Sequence, residues 1–202
     1  MFSIFKYFRK SSISPNNKKF LIVGLGNIGE EYKNTRHNIG FDIVDQLGKI
    51  LKGTFNSAKY GDILKSKYAG KQIILLKPST FMNLSGKAVL YWLKKEKIHT
   101  NNLIVIVDDL NINFGVSRLK PSGSDGGHNG LKDITNSLNT LNFPRLRFGI
   151  GNNFKKKAQV DFVLSKWNNE EANNLQNLIN KNVEIIISSI KRGLDFTMNK
   201  YN

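Results

Sequence analysis

Two histidines, a pair of adjacent aspartates and three scattered amides are the residues of this chain best suited to chemistry. His37 lies in Thr35-Arg36-His37-Asn38, and His128 in Gly126-Gly127-His128-Asn129-Gly130. An imidazole exchanges a proton near neutral pH, so either ring can serve as a general base. Such a base works best when a carboxylate fixes its tautomer and stabilises its charged form. Asp108 and Asp109 end the apolar run Leu103 to Val107, and on residue type alone either can be that carboxylate. Asn27, Asn83 and Asn129 each carry a donor and an acceptor, which suits binding a polar ligand. No serine or threonine is paired with His37 in any motif, so none stands out as a nucleophile.

Competing chemistries fit less well. Two histidines and an aspartate can bind zinc, but no H-x-x-x-H spacing or other metal signature supports it. Gly24-Leu-Gly-Asn-Ile-Gly29 follows an apolar run, as a dinucleotide fingerprint should. The helix N-terminus that must then face pyrophosphate would carry Glu30 and Glu31, and residues 30–38 show no helical period. These glycines read as a strand-to-loop turn that presents side chains. Cysteine is absent, which excludes disulfides and thiol catalysis. His99, in a polar connecting stretch, is assigned no role. No cofactor is expected.

The elements that must position these residues show in the hydrophobic pattern. Phe20 to Val23 and Leu103 to Val107 read as buried strands. Ile63 to Tyr68 and Gln72 to Leu76 read as a hairpin around Ala69-Gly70, and Leu146 to Ile150 as a further strand. Helical spacing starts at Ile39 and runs to about Gly53. It appears again after Ser85, a candidate cap, and from Leu131 to Leu138. From Glu170 one long amphipathic helix is expected, with Leu175, Ile179, Val183, Ile186, Ile190 and Leu194 on one face. Strands alternating with helices argue a single α/β domain, and the hairpin makes its central sheet mixed.

The 202 residues carry 31 Lys and Arg against 15 Asp and Glu, a net charge of +16. That excess attracts polyanions, nucleic acid before an anionic membrane. Arg118, Lys120, Lys132, Arg145, Arg147 and Lys155 to Lys157 follow the acid, and Arg118 and Lys120 project from one face of an extended segment. Residues 1–19 hold five basic residues and no acid, the composition of an organelle-targeting segment or of a basic tail. No apolar run is long enough for a membrane span.

The motifs taken together resemble bacterial-type peptidyl-tRNA hydrolases. The match runs in order through Gly24-Leu-Gly-Asn27, Tyr32, Thr35-Arg-His-Asn38, Lys77-Pro-Ser-Thr-Phe-Met-Asn-Leu-Ser-Gly86, Asp108, Gly126-Gly-His-Asn-Gly-Leu-Lys132 and Arg145-Leu-Arg-Phe-Gly-Ile-Gly151. The resemblance implies a monomeric α/β domain, a mixed central sheet flanked by helices, over residues 20–202. It also implies cleavage of the ester between peptide and tRNA in the cytoplasm, or in an organelle if residues 1–19 target the chain there. By position it makes His37 the catalytic base and Asp108, rather than Asp109, its partner. Asn27, Asn83 and Asn129 then line the site with Tyr32 and Met82 beside them, and His128 belongs to the peptide side. Arg118, Lys120 and Arg147 fall where phosphates are contacted. The chain departs from the pattern at Asn111, where an acid is common, and at Asn113-Phe114, where prolines are usual. A noncatalytic RNA-binding module is the rival reading, but it has no use for a histidine, an acid and three amides.

Overall fold

The computed structural model describes residues 18–154 and 158–202. Most of the basic segment expected over residues 1–19, and the lysine run 155–157, lie outside the described residues. Seven strands form one sheet in the order β2-β3-β4-β1-β5-β7-β6. They are β1 (Lys19–Gly24), β2 (Asn56–Ala58), β3 (Gly61–Tyr68), β4 (Lys71–Pro78), β5 (Leu103–Asp109), β6 (Ser117–Lys120) and β7 (Arg145–Gly149). The helices are α1 (Ile39–Ile50), α2 (Ser85–Glu96), α3 (Asn129–Leu138), α4 (Gln159–Leu164), α5 (Asn169–Arg192) and α6 (Leu194–Tyr201). The central strands β4, β1, β5 and β7 are parallel, while β2, β3 and β6 add antiparallel edges. This is the mixed sheet expected.

The middles of three parallel strands, Leu21 to Val23 in β1, Ile73 to Leu76 in β4 and Leu103 to Val107 in β5, are apolar throughout because both faces are covered. In β1, Phe20 and Ile22 turn to one side, where they meet Ile43, Val183 and Ile186 of α1 and α5. Leu21 and Val23 turn to the other side, against Val89 and Trp92 of α2 and Ile134 of α3. Two apolar layers thus clamp one sheet, and the polar ends of β1, β4 and β5 emerge together at its carboxyl edge. In open α/β sheets that edge, beside the strand where the connections change direction, is where ligands bind. Here that strand is β1, flanked by β4 and β5.

The glycines after β1 serve packing rather than phosphate binding. After Gly29 come only two single 3-10 turns, Glu30–Tyr32 and Arg36–Asn38, before α1 begins. A Cβ on Gly24 would lie 2.1 Å from the Gly40 carbonyl oxygen, and one on Gly40 would lie 2.4 Å from that of Leu25 and 2.7 Å from that of Ile106. The start of α1 therefore rests directly on the ends of β1 and β5, backbone against backbone, which only glycine permits.

Several local expectations need correction. The long tail helix is two helices: Gly193, at φ 90°, breaks it, so Leu194 opens α6. Ser85 does not cap α2; it is the first helical residue, and its hydroxyl donates to the Met82 carbonyl at 2.9 Å. The glycine-rich stretch before α3 is shorter than expected, because Asn129 and Gly130 already belong to the helix. Strand β2, three residues long, and helix α4, six residues long, are too short to announce themselves in a periodicity window.

Candidate active site

Four elements bring the chemistry together. The loop after β1 supplies Asn27, the 3-10 turn before α1 supplies His37, the turn after β4 supplies Met82 and Asn83, and the end of β5 supplies Asp108. The head of α3 adds His128 and Asn129. A cavity of about 370 Å³ is lined by all seven of these residues, and α4 forms a further wall with Gln159, Val160, Val163 and Leu164. Asn83 and Asn129 are exposed at its mouth, beside the exposed ring of Phe81.

His37 and Asp108 form a dyad. Nδ1 of His37 lies 2.8 and 3.0 Å from the two carboxylate oxygens of Asp108, whose side chain is 3% exposed. Burial alone would lower the His37 pKa, but the Asp108 charge and hydrogen bond outweigh it and hold it above its ordinary value. Burial likewise opposes the Asp108 anion. The charges of His37 and His128 and their hydrogen bonds prevail, and hold its carboxyl well below the usual carboxylate range. An anionic Asp108 places the proton of neutral His37 on Nδ1, so Nε2 keeps a lone pair for a reaction. Asp109 is engaged elsewhere. It pairs with Arg147 and accepts the Asn111 backbone N–H at 2.9 Å.

His128 meets the same acid from the other side, with Nε2 3.1 Å from Asp108 Oδ1. Its Nδ1 accepts the backbone N–H groups of Gly130 at 3.1 Å and Leu131 at 3.3 Å, so the ring caps α3. That lone pair is in use, and the ring proton therefore sits on Nε2. His37, Asp108 and His128 place their polar atoms within 4.8 Å of one another, close enough to suggest a metal site. The tautomer argues against it. Nε2 of His128 carries a hydrogen, and a metal would also have to displace the hydrogen bond between His37 and Asp108.

Asn27 is held by three contacts that its sequence neighbours do not suggest. Asn38, 4% exposed, accepts the Asn27 N–H at 2.8 Å and donates to the Asn27 carbonyl at 2.9 Å. The Asn27 side-chain oxygen accepts the Met82 N–H at 3.0 Å. With that oxygen occupied, its NH2 group is the part left to act in the cavity. Asn38 belongs to the Thr35-Arg36-His37-Asn38 motif, yet its type gave no sign of this clamp.

Arg36 was missed in the same way. Its guanidinium donates to Ser165 Oγ at 2.5 Å and the Lys166 carbonyl at 2.7 Å, pairs with Glu171 at 2.5 Å, and lies 4.4 Å over the Phe162 ring. Glu171 also closes the capping box of α5 with Asn168. The residue before His37 is thereby tied to α4, the wall opposite the dyad.

The remaining expected residues fall at varied distances from the cavity. Tyr32 is half-buried in the first 3-10 turn and does not line the cavity. Arg118 stands opposite Arg147 in the β6–β7 register, and Lys120 opposite Arg145. Lys120 is exposed and Arg118 half-buried. Arg145, one of the basic residues that follow the acid in the sequence, is 1% exposed. It donates to the carbonyls of Gly123, Ser124, Leu141 and Phe143 and so shapes the loop before α3. Asn111 is exposed and outside the cavity lining. Phe114, where the turn departs from the pattern, packs against Phe148 and Trp167.

Comparison with known proteins agrees with this geometry. The family model described as peptidyl-tRNA hydrolase matches residues 21–202. Peptidyl-tRNA hydrolases of Phocaeicola vulgatus and Bacteroides fragilis are 50% and 51% identical over 184 residues, covering 91% of this chain and 98% of theirs. That of Clostridium botulinum is 44% identical, covering 91% of this chain and 96% of its own. Among solved structures, the Acinetobacter baumannii peptidyl-tRNA hydrolase superposes with a TM-score of 0.81 at 36% identity, covering 92% of this chain and 95% of its own. A peptidyl-tRNA hydrolase solved with N-propanol gives 0.86 at the same identity and coverage. With the fold, the order of the motifs and near-complete coverage in agreement, the chain belongs to the peptidyl-tRNA hydrolase family.

Proposed function

We propose that this protein hydrolyses the ester between a peptide and the terminal ribose of tRNA, with water activated by His37 as the nucleophile. The observation that carries this reading is the His37–Asp108 pair. Both carboxylate oxygens engage Nδ1, and Nε2 is left as the basic atom on the cavity. Nε2 takes a proton from water while the water oxygen bonds the ester carbonyl carbon, and the charge collects on the carbonyl oxygen. The Asn27 NH2 group is placed to meet that oxygen, a contact worth roughly 3 kcal/mol in the transition state. Collapse expels the ribose oxygen, which recovers the proton from His37. Asn83 and Asn129 at the mouth bond the peptide backbone, with Met82 beneath. A free ammonium beside the ester would leave those amides poorly paired, so an N-blocked substrate is favoured.

The tRNA is held through phosphates. Arg118 faces Arg147 across β6 and β7; Asp109 pairs with Arg147, while among the described residues no acid pairs with Arg118. Lys120 extends the same strip. One chain supplies every residue of this site, which supports a monomer comprising residues 20–202 as the catalytic unit. Among the described residues no helix is long and apolar enough to cross a membrane. We place its action in the cytoplasm.

The test compares N-acetylated aminoacyl-tRNA with its free-amine counterpart as substrate. Release of tRNA from the blocked form alone is expected, and no release from it overturns the assignment. His37→Ala is expected to retain tRNA binding and lose about a thousandfold or more in rate; full activity of this variant removes His37 as the base. Binding without turnover by the wild type would favour the RNA-binding module.

A further inference from the structure

We propose that His128 is a positioning residue for the catalytic dyad rather than a peptide-binding group: an Nε2–H donor, held in that orientation by the α3 backbone, which orients Asp108 and takes up part of its charge. The proposal rests on the reading of His37 as the base. Oδ1 of Asp108 accepts from both rings, at 2.8 Å from His37 and 3.1 Å from His128, while Oδ2, among the described residues, meets His37 at 3.0 Å. A carboxylate shared between two donors is a weaker partner for each, because its negative charge is already partly neutralised.

The lock comes from the chain itself. His128 is the N-cap of α3, and its Nδ1 receives two backbone N–H groups. If Nδ1 took the ring proton, both would lose their acceptor at the helix start. The donor face is therefore always turned to Asp108. The rings of His37 and His128 lie 5.0 Å apart, and both side chains are largely buried, at 13% and 8% exposed. Among the described residues, the charged and titratable groups that face His37 are Asp108 from β5 and His128 from α3. Asp109 and Asp125 line the same cavity, but Asp109 is paired with Arg147, and Asp125 accepts the Gly127 N–H. Helix α4 faces the cavity with Gln159 and apolar side chains, none of which titrates.

This arrangement answers a problem of the dyad. A base bound to a fully charged, buried carboxylate is pulled towards its protonated form, in which it cannot accept a proton from water. Dividing Asp108 between two rings moderates that pull and keeps His37 in its useful form at lower pH.

His128→Asn separates the two roles of the ring. Asparagine is a good N-cap and can accept the Gly130 and Leu131 N–H groups. Its short side chain cannot also reach Asp108. Nitrogen-detected NMR of the wild type is expected to show His128 with its proton on Nε2; a proton on Nδ1 overturns the proposal even if the variant does not fold. In the variant, at an unchanged melting temperature, the His37 titration midpoint is expected to rise by about one unit. The acid limb of kcat/KM for N-acetylated aminoacyl-tRNA should move with it, and kcat should fall. An unmoved His37 midpoint overturns the proposal, as does a raised KM for longer peptides with kcat and the acid limb intact, the result expected of a peptide contact. The NMR midpoint is read without turnover, so it can fail while His37 remains the base. Conversely, full activity of His37→Ala would fail the base assignment alone.

Discussion

Replacing Asn38 by aspartate exchanges one buried NH2 group for an oxygen and leaves the shape of the side chain intact. In the native protein that NH2 donates to the Asn27 carbonyl at 2.9 Å, while the side-chain oxygen accepts the Asn27 N–H at 2.8 Å. An ionised carboxylate keeps the second bond and turns the first into a contact between two acceptors. The lost donor and the buried, unsatisfied carbonyl cost about 2 kcal/mol. The Asn27 backbone can move to relieve the contact, and its side chain moves with it. At 1.36 kcal/mol per factor of ten, the correctly placed population falls by about thirtyfold. When the new carboxyl is protonated its O–H donates as the amide did, so the defect depends on pH. Burial and the facing carbonyl both favour that protonated form. The assay is kcat/KM on N-acetylated aminoacyl-tRNA for Asn38→Asp divided by that for the wild type, so that the titration of His37 cancels. The ratio is expected near one thirtieth at about pH 8 and to recover towards unity near about pH 5.5. Asn38→Ala, which removes both bonds, should be impaired equally at each pH. A flat ratio for Asn38→Asp would refute the claim that this side chain sets the position of Asn27.

Other sites give independent expectations. Burial, with the Asp45 charge and against that of Lys77, pushes the Asp42 carboxyl up to about 7. The folded state therefore holds a proton that the unfolded chain has already released, and this group lowers stability as pH rises from about 4 through about 7. Asp42→Asn should be more stable than the wild type by about 1–3 kcal/mol near pH 8 in urea unfolding, with the gain fading towards about pH 4. Arg145→Met removes the donor from four backbone carbonyls and should cost about 3 kcal/mol of stability, read as a lowered melting temperature. Lys120→Ala should leave the melting temperature unchanged, weaken tRNA binding, and reduce the slope of log affinity against log salt by about 1.

The parts of the fold that could be read from sequence are those governed by one rule at a time. Leu103 to Val107 is apolar throughout because both sheet faces cover it, and the hairpin at Ala69-Gly70 follows from local turn chemistry. The parts that could not be read depend on contacts between distant segments. Arg145 and Arg147 look alike in sequence, yet the first is buried among carbonyls and the second pairs with Asp109. Alternation along β7 gives them the same face, so only the loop packed over one end tells them apart. Asp108 and Asp109 point to opposite sides of one strand, and choosing between them needs to know which side α1 covers. Asn38 reads as a polar turn residue until the loop after β1 is folded against it. Helix α4 has six residues with only a short apolar pattern, and its wall of the cavity exists because Arg36 anchors the segment that follows it.

The contact of Gly24 with Gly40 bears on how this protein can change over generations. His37 is three residues before Gly40, and Asp108 is two residues after Ile106, whose carbonyl Gly40 touches. The separation of base and acid is thus referred to a hard backbone stop rather than to the bulk of any core side chain. Core residues such as Ile43 or Leu146 can drift among apolar types, altering stability, without detuning the dyad. Core and catalytic geometry become separately adjustable, and stability can be gained or lost over a long history while the reacting distance stays fixed.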